Sequence, residues 1–195
     1  MAISYPLDTP TTIGIESVEI RAVNAVATSQ SPFTYKQQVV AHPGQRWEAS
    51  VNIPTVRRDL AAEWKAFLTA LKGKQGTFLL GDPDYATPRG DVSSATLNGS
   101  AGDETATVTM TGTLKAGDYI QLGSGSSAKL HQVLIDQTGD GSLEIWPALR
   151  SDYTDETVVY NNPKGVFRLA TNVSSWSINN ASAYGISFEA VEDLI

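Results

Sequence analysis

Apolar and polar residues alternate along most of this chain, and the alternation gives way once to a helical period. Val18, Ile20 and Ala22 share one face of a first strand, and Phe33, Tyr35, Gln37, Val39 and Ala41 share one face of a second. Trp47, Ala49, Val51 and Ile53 alternate with Glu48, Ser50 and Asn52, the two-residue period of a half-buried strand. Between the second and third runs stands His42-Pro43-Gly44-Gln45. Proline fixes φ there and glycine accepts the positive φ of a type II turn, so the pattern predicts a hairpin turn at this point.

After Pro54 the period changes. Leu60, Trp64, Phe67, Leu68 and Leu71 form one apolar stripe at helical spacing, with Glu63, Lys65, Thr69 and Lys72 on the opposite face. A helix over about residues 57–72 is predicted, with Thr55 as N-cap. Asp59 near its start and Lys72 at its end complement the dipole, and Gly73 stands where a left-handed C-cap residue is needed. A helix with a single wide stripe requires a sheet to cover, and the strand 77–80 follows directly.

From about residue 84 the chain becomes a run of short strands with polar turns. Ala106, Val108 and Met110 alternate with threonines, and strands follow at 118–122, 130–136, 143–149 and 157–160. The tail offers Phe167 and Leu169, then Trp176 and Ile178, then Tyr184, Ile186, Phe188 and Ala190, with Asn179-Asn-Ala-Ser-Ala183 as a hairpin loop. A hairpin alone makes no core, so the tail returns to the first sheet. The predicted fold class is mainly β with one packed α-helix. Residues 1–86 and 166–195 form a β-sandwich, and residues 87–165 form an inserted small antiparallel β-barrel.

Composition narrows the function. At 41% hydrophobic and 18% charged, the chain is a folded globular protein. It has no cysteine, which excludes disulfides and thiolate metal sites. A formal charge of −7 argues against tight wrapping of nucleic acid. The first residues lack the basic-then-apolar order of a secretory signal, and no apolar run reaches membrane-spanning length. A cytoplasmic origin is the expectation.

Chemistry finds little purchase. His42 falls in a turn and His131 in a strand, with no second histidine at ligand spacing. Asp136-Gln-Thr138-Gly-Asp140-Gly141 imitates the start of a calcium loop, but Pro147 occupies its twelfth position, where a glutamate is required. Asp82 and Asp84 read as a turn that ends a strand, and Gly123-Ser-Gly-Ser-Ser has no helix after it to hold phosphate. Catalytic residues, cofactor-binding residues and metal ligands are therefore expected to be none. Arg57 and Arg58 oppose the dipole of the predicted helix. They lie either in solvent or against an acidic surface of a neighbouring subunit.

Several motifs recur together in one family. Trp64-Lys-Ala-Phe67-Leu68, Leu71-Lys-Gly73-Lys-Gln-Gly76-Thr77-Phe78, Gly81-Asp82-Pro83 and Pro88-Arg89-Gly90 resemble the distal-tail-type proteins of long non-contractile bacterial viruses. The likeness continues through Lys115-Ala-Gly117-Asp118-Tyr119-Ile120, Leu143-Glu-Ile-Trp146-Pro147, Lys164-Gly165-Val-Phe167 and the closing Ile186-Ser-Phe188. It implies a belt domain with one helix that assembles as a ring of about six subunits. Such a ring would join the tail tube to tip or hub proteins, leave a channel through which DNA passes without specific binding, and need no cofactor or membrane. The expected location is the virion tail tip, after assembly in the host cytoplasm. The N-terminal segment, residues 4–12, is the expected arm between subunits. Two other readings stay open. One is a different tail-tube or tail-completion protein. The other is a host-glycan module in which Tyr119, Trp146, Tyr153 and Tyr160 supply stacking faces rather than barrel core.

Overall fold

The computed structural model describes residues 3–180 and 182–194. In chain order the first elements are β1 (Leu7–Asp8), β2 (Ser17–Gln30), β3 (Gln37–Arg57), α1 (Arg58–Ala70) and β4 (Thr77–Leu80). The middle segment gives β5 (Ser94–Gly99), β6 (Thr105–Thr111), β7 (Thr113–Leu114), β8 (Tyr119–Leu122), β9 (Lys129–Val133), β10 (Gln137–Thr138), β11 (Gly141–Trp146) and β12 (Tyr153–Thr157). The chain closes with β13 (Gly165–Leu169), β14 (Trp176–Ile178) and β15 (Ala183–Glu192). The fold is mainly β with a single helix.

The first sheet runs β1-β4-β13-β15-β3-β2, with β14 alongside the far half of β15. The tail thus returns to the sheet begun by the first eighty residues. Helix α1 covers one face through Ala61, Trp64, Phe67 and Leu68, with Leu71 just past its end. Around Trp64 the rings pack edge to face: Phe67 lies 5.5 Å from it and 5.5 Å from Phe78, and Phe78 lies 5.9 Å from Phe188.

The helix corrects three expectations. It starts at Arg58, so Arg57 rather than Thr55 is the N-cap, and no side chain caps it. Leu60 is 40% exposed, while Ala61 is fully buried. The small Ala61 lets the helix approach the sheet, and one residue of rotation carries Leu60 off the covered face. Lys72 lies past the helix end with φ of 51°, followed by Gly73 at 68°, so two left-handed residues rather than one reverse the chain.

The first hairpin is also redrawn. β2 and β3 pair from Ser17↔Asn52 to Gln30↔Gln37 with one shift of register, and the turn is residues 31–36, where Tyr35 N–H donates to the Ser31 carbonyl at 2.9 Å. Phe33 and Tyr35 therefore sit in the loop, not on a strand face. His42-Pro43-Gly44 lies inside β3. Pairing passes from Asn24↔Gln45 to Val26↔Ala41, so three residues face Ala25 alone. The Pro-Gly pair makes a bulge, not a turn. Proline is tolerated because β15 pairs β3 only from Glu48 onward, leaving this stretch an edge.

The middle segment builds a second antiparallel sheet, β12-β5-β6-β11-β9-β8, beside the short pair β10-β7. It curls until Gln121 of β8 exchanges two backbone hydrogen bonds, 2.8 and 3.0 Å, with Val159 just past β12. Leu97, Val108, Leu114, Ile120, Leu122, Val133, Leu143 and Ile145 fill its interior. Leu130 on β9 instead joins the core beneath α1.

The N-terminal segment is not a free arm over its described part. Leu7 and Asp8 pair with Phe78 and Leu79, and the Tyr5 hydroxyl donates to the Ala70 carbonyl at 2.6 Å. Its own helix and sheet have claimed it.

Candidate assembly surface

The distal half of the β2–β3 hairpin projects from the body. Residues 25–44 are exposed almost throughout, with Phe33 at 92%, Tyr35 at 74% and Val39 at 59%. Five paired residues per strand beyond the bulge reach about 17 Å before the turn. From Ala22 to Gly44, Lys36 is the one formally charged residue in a chain of net charge −7. A two-stranded ribbon bare on both faces and both edges is marginal in water by itself. Apolar residues, aromatics at the tip and an absence of carboxylates are the composition of a contact surface rather than of a solvated loop.

The root of this arm is clamped by the middle segment. Trp146 Nε1–H donates to Asn24 Oδ1 at 2.8 Å, and the Ala148 N–H to Gln45 Oε1 at 2.7 Å. Gln45 Nε2 donates to Glu104 at 2.8 Å, and Arg150 donates to the Gln45 carbonyl at 2.7 Å. Asn24 and Gln45 are the last pair before the bulge, so the clamp closes where the arm departs.

Below it runs a seam of aromatic and ionic contacts. Trp47 meets Trp146 edge to face at 4.4 Å and Tyr119 at 5.9 Å, and its Nε1–H donates to the Leu130 carbonyl. Buried Glu192 accepts from the Trp47 N–H at 3.0 Å and pairs with Arg150 at 2.8 Å. Asp193 pairs with Arg168 at 2.6 Å, and Lys129 Nζ donates to the Asp193 carbonyl at 2.6 Å. His131 is wholly buried beside them. Its Nδ1–H donates to the Pro147 carbonyl at 2.7 Å, while Nε2 has no partner among the described residues. Burial holds its pKa down at about 4.

The motif residues divide between these settings. Trp64, Phe67, Leu68, Leu71, Phe78 and Phe167 are core beneath α1. Gly76 donates its N–H to the Leu71 carbonyl, and a side chain at Gly81 would collide with the Pro163 carbonyl. Asp82 accepts the Asp84 N–H, the expected turn after β4, with Pro83 exposed. Asp118, following Gly117, is buried and accepts the N–H groups of Arg89, Gly90 and Lys115, tying the linker to the curled sheet. Burial first, then the charge of Asp118, keeps the Tyr85 hydroxyl protonated. Tyr119 and Trp146 are neither barrel core nor an open stacking platform, because both turn into the seam. Tyr153 and Tyr160 pack on the barrel core, and the Tyr160 hydroxyl donates to Ser93. Asp136 and Asp140 each accept a backbone N–H from a different strand region, Ala116 and Met110. His42 is exposed in the bulge. Arg57 and Arg58 are exposed and line a groove of about 710 Å³ with Asp59, Ala62, Lys65 and Ser182.

Sequence reasoning missed Asn24, Gln45, Arg150, Glu192 and Asp193. Their partners lie up to 145 residues away, and no local spacing announces such pairs. The run without carboxylates around Phe33, with Lys36 as its single charge, was the one visible signal of the arm. Among the described residues no group of three or more His, Asp or Glu side chains is arranged to hold a metal ion, and no helix is long and apolar enough to cross a membrane. No family model matches this chain, and no curated protein matches it.

Proposed function

We propose that this chain is a structural, non-catalytic subunit that completes its fold against copies of itself, as a ring at the distal end of a long viral tail tube. In this reading the ring joins the tube to tip or hub proteins, sits in the virion after assembly in the host cytoplasm, and leaves a channel for DNA. The observation that carries it is the uncovered arm, which has no carboxylate and a single charge, Lys36. Its twenty residues, 25–44, match the ~20–30 residues a side of a stable protein interface. A projecting element that docks on a different surface of the next copy gives head-to-tail contacts, which close as a ring. An acidic body suits a channel that DNA slides through rather than grips. The glycan reading has less support, since Tyr119 and Trp146 are spent on the seam.

Light scattering after size exclusion tests the proposal. The expected mass rises with concentration, or with tail partners present, towards about six times 20.8 kDa. Replacing residues 28–39 by a two-residue Asn-Gly turn, which joins the paired Ala27 and Val40, should leave the circular dichroism of the body intact and abolish the rise. A wild-type chain that stays monomeric throughout, including with tail partners, overturns the reading.

A further inference from the structure

We infer that the solvent face of α1 is a cationic docking surface, and that its occupant is the acidic groove of Glu16, Asp82 and Asp84 on a second copy of this chain. The inference rests on the ring reading and assigns one of its seams. Arg21, Arg46, Arg150, Lys164 and Arg168 are all ion-paired within the chain. Arg57, Arg58, Lys65 and Lys72 make no ion pair among the described residues, yet they line a single face. Arg58 and Lys65 are seven apart on the helix and Lys72 follows just past its end, a row about 20 Å long.

That face is shaped as well as charged. The groove of about 710 Å³ beside Arg57 and Arg58 shares Lys65 with a second groove of about 550 Å³ lined by Ala66, Thr69, Lys72 and Trp176. Lys65 is held in place rather than free, its Nζ 4.4 Å from the Tyr184 ring centroid and 5.9 Å from that of Trp176. In the first groove three cations face one carboxylate, Asp59. The other helix carboxylate, Glu63, accepts the Thr12 hydroxyl.

The complement lies elsewhere on the same lobe. Glu16, Asp82 and Asp84 converge on a groove of about 410 Å³ with Ile15, Ser17, Val18 and Pro83, and no lysine or arginine lines it. The Asp84 N–H donates to Asp82 Oδ1 at 3.0 Å, which fixes the turn that presents both carboxylates. A positive row meeting a negative groove at a different place on the next copy is a heterologous contact, the kind that a closing ring needs. Nucleic acid is the weaker occupant, because four cations in a body of net charge −7 make a short and isolated track.

Complementary charge reversal decides the point. R57E/R58E/K65E and E16K/D84K alter only side chains that cap no helix, fill no core and hold no turn. Asp82 is kept because it fixes the turn, and circular dichroism checks that each variant is folded. Each variant alone should associate at least tenfold more weakly than wild type by light scattering. An equimolar mixture should recover association, because every seam in an alternating ring is again oppositely charged. Association of wild type should weaken as salt rises from 0.05 to about 0.5 M. Rings that form unchanged in both variants overturn this inference and leave the ring reading standing, as does a folded mixture that shows no recovery. A wild type that never associates overturns both. Salt-sensitive binding of a labelled DNA duplex that R57E/R58E/K65E alone abolishes would replace the acidic groove with nucleic acid and overturn the pairing.

Discussion

His131 carries the sharpest single-residue consequence. Its ring is buried between Pro147 and the cations Arg150 and Lys129, and burial outweighs the hydrogen bond to Pro147 in setting its pKa near 4, against 6.5 when unperturbed. Between those values the unfolded chain binds a proton that the fold refuses, so stability rises with pH across the window. The contribution is complete above about 6.5 and is lost as pH falls to about 4, on the order of 3 kcal/mol from this residue. Urea midpoints for wild type and His131→Gln between pH 4.5 and 7 check it. The variant should show a flatter profile, and equal slopes would assign the pH dependence to the carboxylates instead. From sequence alone His131 is an unremarkable strand residue, since nothing near it in the chain says whether or by what it is covered.

At the scale of the element, α1 shows how far periodicity reaches. The stripe of apolar residues announced a helix on a sheet, and Trp64, Phe67, Leu68 and Leu71 are where that stripe puts them. The edge of the stripe was settled by the docking angle, which buried Ala61 and released Leu60. Trp64→Ala should cost about 3–5 kcal/mol by leaving a cavity among Phe67, Phe78 and Phe188, whereas Leu60→Ala should stay within about 0.5 kcal/mol. Chemical denaturation of the two variants measures the contrast, and a large loss for Leu60→Ala would place that side chain in the core. The hairpin teaches the converse. Pro43-Gly44 has turn chemistry, but the same chemistry serves a bulge, and only the pairing of Asn24 with Gln45 and of Val26 with Ala41 distinguishes the two.

Over the whole molecule, the seam binds the curled sheet to the first sheet at the root of the arm. Glu192 is its hub, because a buried carboxylate there answers both Arg150 and the Trp47 N–H. Removing it strands a partly buried guanidinium and a buried N–H, at a cost of about 3–5 kcal/mol. Scanning calorimetry of wild type should give one cooperative transition, and Glu192→Ala should broaden or split it as the two cores come apart. A Glu192→Ala melt identical to wild type would show that the aromatic contacts around Trp47 hold the seam by themselves. Because Trp146, Ala148, Glu104 and Arg150 also grip Asn24 and Gln45, the same seam fixes the direction in which the arm leaves.

By itself the sequence determined the fold class, the single helix, the turn chemistry after β4 and the return of the tail. The helix and the turn depend on residues within a few positions of one another, where period and backbone preference act directly, and the return of the tail follows because a lone hairpin makes no core. The tertiary structure decided that the projecting arm is the hairpin and not the N-terminus, that Trp146 and Tyr119 seal a seam, and that Arg57, Arg58, Lys65 and Lys72 share one face. Those outcomes depend on which distant side chains compete for the same surface. Tyr5 reaches Ala70, Trp47 reaches Glu192, and once these pairs form, residues 25–44 are the stretch left without cover.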